Sequence, residues 1–111
     1  MEPTRRLVIA RGSFAAVSRT EDEDNQFAQN RLYVKTIVAV PGDTISISDG
    51  RIIVNGIQSN LTVGATDRWG PRQVGDQLYF VAGDPRDIDR DSRGWGLVQA
   101  ASILGTVRPR Q

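Results

Sequence analysis

The stretch 43–56, "DTISISDGRIIVNG", constrains the fold more than any other part of this chain. Ile45 and Ile47 alternate with Ser46 and Ser48, Asp49-Gly50 follows, and Ile52 to Val54 make a second apolar run. A period of two puts the isoleucines on one face of a strand and the serines on the other. Asp-Gly between two such runs is the strongest short hairpin signal, because both central residues of the favoured tight turn need positive φ. An antiparallel hairpin is therefore expected, with an isoleucine face that has to be covered.

Further short Val/Ile-rich runs, broken by turn signals, predict strands at residues 7–10, 13–19, 32–40, 77–82 and 103–107. The chain of 111 residues is then one all-β domain, mostly antiparallel, spanning residues 1–111. The acidic stretch 21–30, "EDEDNQFAQN", reads as a solvated connection. Residues 58–75 read as an irregular excursion in which Trp69 covers part of the core, and "WGLVQAAS" supplies one helical turn at most.

The chain has no cysteine and no histidine, which excludes a disulfide framework, the usual Cys/His zinc site, a Ser-His-Asp triad and a Cys-His dyad. Hydrolytic chemistry would need another base. A net charge of +1 gives no general affinity for nucleic acid, and no nucleic-acid partner is expected. No apolar run approaches the roughly 20 residues that cross a bilayer. Arg5 and Arg6 interrupt the first residues, so the chain as written reads as soluble and without a signal peptide.

Three stretches hold chemistry. In "YVKTIVAV", Lys35 shares a strand face with Tyr33 and Ile37. An amine among apolar neighbours loses solvation, which disfavours its charged form, and a neutral amine can act as general base. The alternative is an edge-strand lysine that discourages strand addition, or one whose head stays in water. The next stretch, Pro41-Gly42-Asp43, reads as a turn in which Asp43 satisfies nearby backbone groups.

The third, "GDPRDIDRDSRGWG" at 83–96, crowds Asp84, Arg86, Asp87, Asp89, Arg90, Asp91 and Arg93 around Ser92. A solvated loop explains the polarity. Apolar anchors at both ends, Tyr79 to Val81 and Trp95, suggest instead a charged loop held against the domain, with Asp91 and Arg93 as the fixing pair. The aspartates also admit a calcium reading, but the spacing lacks the EF-hand glycine and terminal glutamate, and three arginines oppose a cation. No metal or cofactor is expected.

Taken in order, these stretches resemble the type I signal peptidase family, membrane-anchored serine endopeptidases that use a Ser-Lys dyad. The family's lysine strand, Pro-Gly-Asp turn and following strand correspond to "YVKTIVAVPGDTISI". Its last signature, Gly-Asp-Asn-Arg-Asp-Asn-Ser-x-Asp-Ser-Arg-x-Trp-Gly, corresponds to "GDPRDIDRDSRGWG". In this family Met-x-Pro-Thr directly follows the nucleophilic serine, and the chain opens "MEPT". The resemblance thus implies a nucleophile just before Met1, absent from this chain, and a chain that is inactive alone.

By the same resemblance Lys35 is the general base, Met1, Tyr33 and Val34 lie at the pockets for small substrate side chains, and Asp91 pairs with Arg93 beneath the site. Asp84, Arg86, Asp89 and Ser92 belong to the same support. The implied substrates are signal peptides of exported precursors, or conjugative-pilin precursors, cleaved at a membrane surface. The whole protein would be membrane-anchored, with this domain outside the cytoplasm.

The chain departs from the pattern at several positions. Thr36 replaces an arginine, Pro85 and Ile88 replace asparagines, Asp89 replaces a serine, and Arg5 replaces an apolar pocket residue. A carboxylate at 89 near Lys35 would favour the ammonium form. These departures keep a second reading open, a non-catalytic relative that uses the fold as a peptide-binding or structural module.

Overall fold

The computed structural model describes residues 9–21, 29–62, 64, 68–83 and 91–107. The hairpin at its centre joins β3 (Thr44–Ser48) to β4 (Arg51–Val54), with Ile45 opposite Val54 and Ile47 opposite Ile52. Asp49 and Gly50 both take positive φ, 52° and 77°, so the turn twists with the strands. All four of these apolar residues are buried.

Two antiparallel sheets result. The other strands are β1 (Phe14–Glu21), β2 (Gln29–Ala39), β5 (Ile57–Thr62), β6 (Trp69–Gln73), β7 (Leu78–Ala82), β8 (Val98–Gln99) and β9 (Ile103–Val107). One sheet runs β8-β7-β2-β1-β9 and the other β5-β4-β3-β6. A single helical turn, α1 (Ser92–Trp95), follows β7.

Three expectations need correction. The stretch 58–75 is not an irregular excursion, since β5 and β6 lie within it. Asn55-Gly56 makes a second turn of the same kind, with φ of 53° and 82°, and returns the chain as β5. Both strands are sheet edges, so neither is obliged to show a continuous buried apolar face, and β6 even accommodates Pro71. The strand expected at 7–10 is also absent where it is described. Ile9 and Ala10 are outside any strand, and Leu7 and Val8 fall outside the described residues. The acidic connection is shorter than expected, because the β1–β2 ladder continues to Glu21 opposite Gln29.

The Pro41-Gly42-Asp43 turn locks the sheets together. Asp43 accepts the Val40 backbone N–H at 2.9 Å and the Asn55 side-chain amide at 2.9 Å, while its own carbonyl takes the Val74 N–H at 2.7 Å. Beside it, one apolar cluster gathers Val38, Ile45, Ile52, Val74 and Phe80, with Trp69 set edge-on to Phe80 at 4.7 Å. Gly70 lies where β6 meets β3. Its φ is +72°, and a Cβ there would stand 2.6 Å from the Ile45 carbonyl oxygen. Gly70→Ala is expected to cost at least about 2 kcal/mol, since both the dihedral and the contact resist it. Urea denaturation would measure the loss.

Candidate active site

Lys35 lies in β2 opposite Ala15, on the face shared by Val17 and Tyr33. Ala15, Val17, Ile37, Val81, Val98 and Ile103 form the second apolar cluster on this side. β2 is the central strand of its sheet and Lys35 is only 5% exposed, so neither the edge-strand account nor a head left in water describes it. It is also the one lysine among 14 basic residues, the other 13 being arginines. Arginine stays protonated in proteins, whereas an amine can give up its proton.

Gly83 directly after β7 supports this amine. A Cβ on Gly83 would stand 2.8 Å from Lys35 Nζ and 3.0 Å from its Cδ, so the lysine stem lies against bare backbone. Asp91 holds Gly83 in place, its Oδ2 accepting the Gly83 N–H at 3.0 Å.

Asp91 in turn is held by Arg93. The guanidinium donates to both carboxylate oxygens, from Nε to Oδ1 at 3.0 Å and from NH2 to Oδ2 at 2.6 Å. The two side chains are 0% and 2% exposed. Asp91 also caps α1, accepting the Arg93 backbone N–H at 2.9 Å. Ser92, fully buried, accepts the Val81 N–H through its hydroxyl at 2.8 Å. Asp91 and Ser92 are therefore tied to Gly83 and to β7 by side chains that bond their backbone N–H groups.

Two rings wall the amine. Tyr33 and Trp95 meet edge to face at 5.1 Å, and Lys35 Nζ lies 5.7 Å and 6.0 Å from their centres. Those distances are within cation–π range.

Val34 points to the opposite face and is 72% exposed, in line with Leu32 and Phe14, which are also exposed. This apolar surface lies on the same strands as the site. Thr36 shares that outer face, which puts it on the far side of β2 from Lys35. A separate apolar cleft of about 420 Å³, lined by Phe14, Thr36, Val38, Val54, Ile57 and Leu61 among others, does not include Lys35. Met1, Asp84, Arg86 and Asp89 lie outside the described residues, as does Arg5. Among the described residues, no helix is long and apolar enough to cross a membrane.

Sequence reasoning gave Gly83 no role as support for the stem, and gave Trp95 that of an apolar anchor rather than a wall of the site. Gly83→Ala is expected to leave the domain folded at a cost of about 1–2 kcal/mol, as overpacking against a flexible side chain does. It should displace the amine, and the change would be visible in the NMR signals of the single lysine.

Comparison with known proteins gives the chain a family. The family model described as "Signal peptidase, peptidase S26" matches residues 5–110. The protein named Signal peptidase I of Leptolyngbya laminosa is 33% identical over 79 residues, covering 68% of this chain and 39% of that protein. Signal peptidase I of Bacillus amyloliquefaciens is 36% identical over 96 residues, covering 72% of this chain and 51% of its own length. The chain thus spans between 39% and 51% of these two relatives. The crystal structure of a signal peptidase I from Enterococcus faecalis V583 shares the fold, with a TM-score of 0.61 at 22% identity, over 88% of this chain and 95% of that one. With its family match running over nearly all its residues, the chain belongs to the signal peptidase family, peptidase S26.

Proposed function

We propose that this chain is the catalytic domain of a signal peptidase I-type serine endopeptidase, with Lys35 as general base. The observation that carries the reading is the single buried lysine, packed on Gly83 and walled by Tyr33 and Trp95. The nucleophile is a serine directly preceding Met1. Its hydroxyl gives a proton to the Lys35 amine while the oxygen attacks the scissile carbonyl, and the resulting ammonium returns that proton to the departing amine. Water, deprotonated by the same amine, then hydrolyses the acyl-enzyme.

The substrates are signal peptides of exported precursors with small side chains near the cleavage point. Tyr33 and Met1 belong to the pockets that receive them, whereas Val34 lies on the opposite face of β2 from Lys35. The exposed Phe14, Leu32 and Val34 suit a domain working beside lipid, and the whole protein is anchored there with this domain outside the cytoplasm.

The test compares two proteins on a signal-peptide substrate. Residues 1–111 alone should not cleave it, whereas a form carrying the upstream serine segment should. A serine-bearing form that binds the peptide without cutting it would instead make this a non-catalytic relative.

A further inference from the structure

Arg19 and Arg31 stand directly opposite each other in the β1–β2 ladder. Like charges in that position repel. The Arg19 guanidinium carbon lies 4.6 Å from the centre of the Trp95 ring, stacked on the residue that meets Tyr33 and faces the Lys35 amine. A planar guanidinium suits this contact better than an ammonium. We infer that Arg19 is a positioning residue: it clamps Trp95 against Tyr33, and the two rings in turn fix the Lys35 amine. The inference rests on the reading of Lys35 as general base.

Physically, the Trp95 side chain is partly exposed at the end of a single helical turn, with its backbone N–H donating to the Asp91 carbonyl at 2.7 Å. That bond fixes its main chain and leaves its ring orientation to side-chain contacts. Tyr33 meets the ring in a T-shaped contact, interplanar angle 62°, and Arg19 supplies the stacking contact. Removing the guanidinium frees the indole to turn, and the amine loses one wall without losing its Gly83 support.

The single lysine makes the test selective, because lysine-specific isotope labelling lights only Lys35. In Arg19→Gln, the side-chain signals of Lys35 are expected to move away from their ring-shifted positions toward those of a solvated lysine, and Arg19→Lys should restore them in part. In the serine-bearing protein, Arg19→Gln should lower kcat roughly tenfold, the scale of a small misplacement, with KM little changed. Lysine signals unmoved in folded Arg19→Gln would overturn the inference, as would an unchanged kcat. Should Arg19→Gln not fold, Arg19→Met keeps the apolar stem without the charge and is read by the same two measurements. Absence of cleavage in the unsubstituted serine-bearing protein would sink the proposed activity instead, and the lysine signals would still decide whether Arg19 positions the amine.

Discussion

Lys35→Met in the serine-bearing protein is expected to lower kcat at least about a thousandfold, because base and nucleophile act as a unit and the loss of either removes the unit's whole contribution. The fold should survive. An apolar side chain of similar length fills the same space, and a volume-conserving swap of this kind costs little. Loss of activity together with unchanged or raised stability would mark a residue kept for chemistry at the expense of the fold. A lysine kept only for its contacts with Tyr33 and Trp95 would behave oppositely, since Lys35→Met would then destabilise the domain and spare cleavage. Lys35→Arg sharpens the test, since a guanidinium stays protonated and cannot take the serine proton. It should be as inactive as Lys35→Met. Peptide-cleavage kinetics and thermal denaturation, measured on the same preparations, separate the two accounts.

Asp91→Ala should be the most destabilising single change at the site, by about 3–5 kcal/mol, because it leaves the Arg93 guanidinium buried without its carboxylate. Two other bonds go with it. The α1 cap is lost, the Gly83 N–H loses its acceptor, and the strap on the end of β7 slackens where the lysine stem rests. Against a total stability of about 5–15 kcal/mol, typical for a domain, this is a large fraction. Arg93→Ala strands the opposite charge and should cost a similar amount. The double variant should cost less than the sum of the two, because each single substitution already breaks the Asp91–Arg93 contact. Denaturant titrations of the four proteins give the coupling directly. Strictly additive losses would show that the pair does not work as a pair.

Much of the fold is legible in the sequence where a pattern has one cause. Ile45, Ile47, Ile52 and Val54 alternate about an Asp-Gly turn, and only a hairpin with a buried face satisfies that arrangement. β5 and β6 escape notice because they are edges: Gln58, Ser59, Gly70 and Arg72 follow the demands of solvent and turn geometry rather than a core face. Asn55-Gly56 is a turn signal, but the strand it introduces is largely polar and carries no apolar run of its own.

At the site the division is similar. The residue types are legible in the chain alone: one lysine in an apolar run, an aspartate and an arginine two positions apart, and glycine at 83. The family signatures gave these a shared meaning. Packing in three dimensions makes β2 central, so that Lys35 is buried and not an edge guard, and brings Asp91 to Gly83 and through it to the amine. Strand order, burial and approach distance depend on residues far apart in the chain, and no local pattern carries them. The clamp of Arg19 on Trp95 is of this second kind, joining positions 76 residues apart in the sequence that meet only because β1 and α1 flank the same lysine.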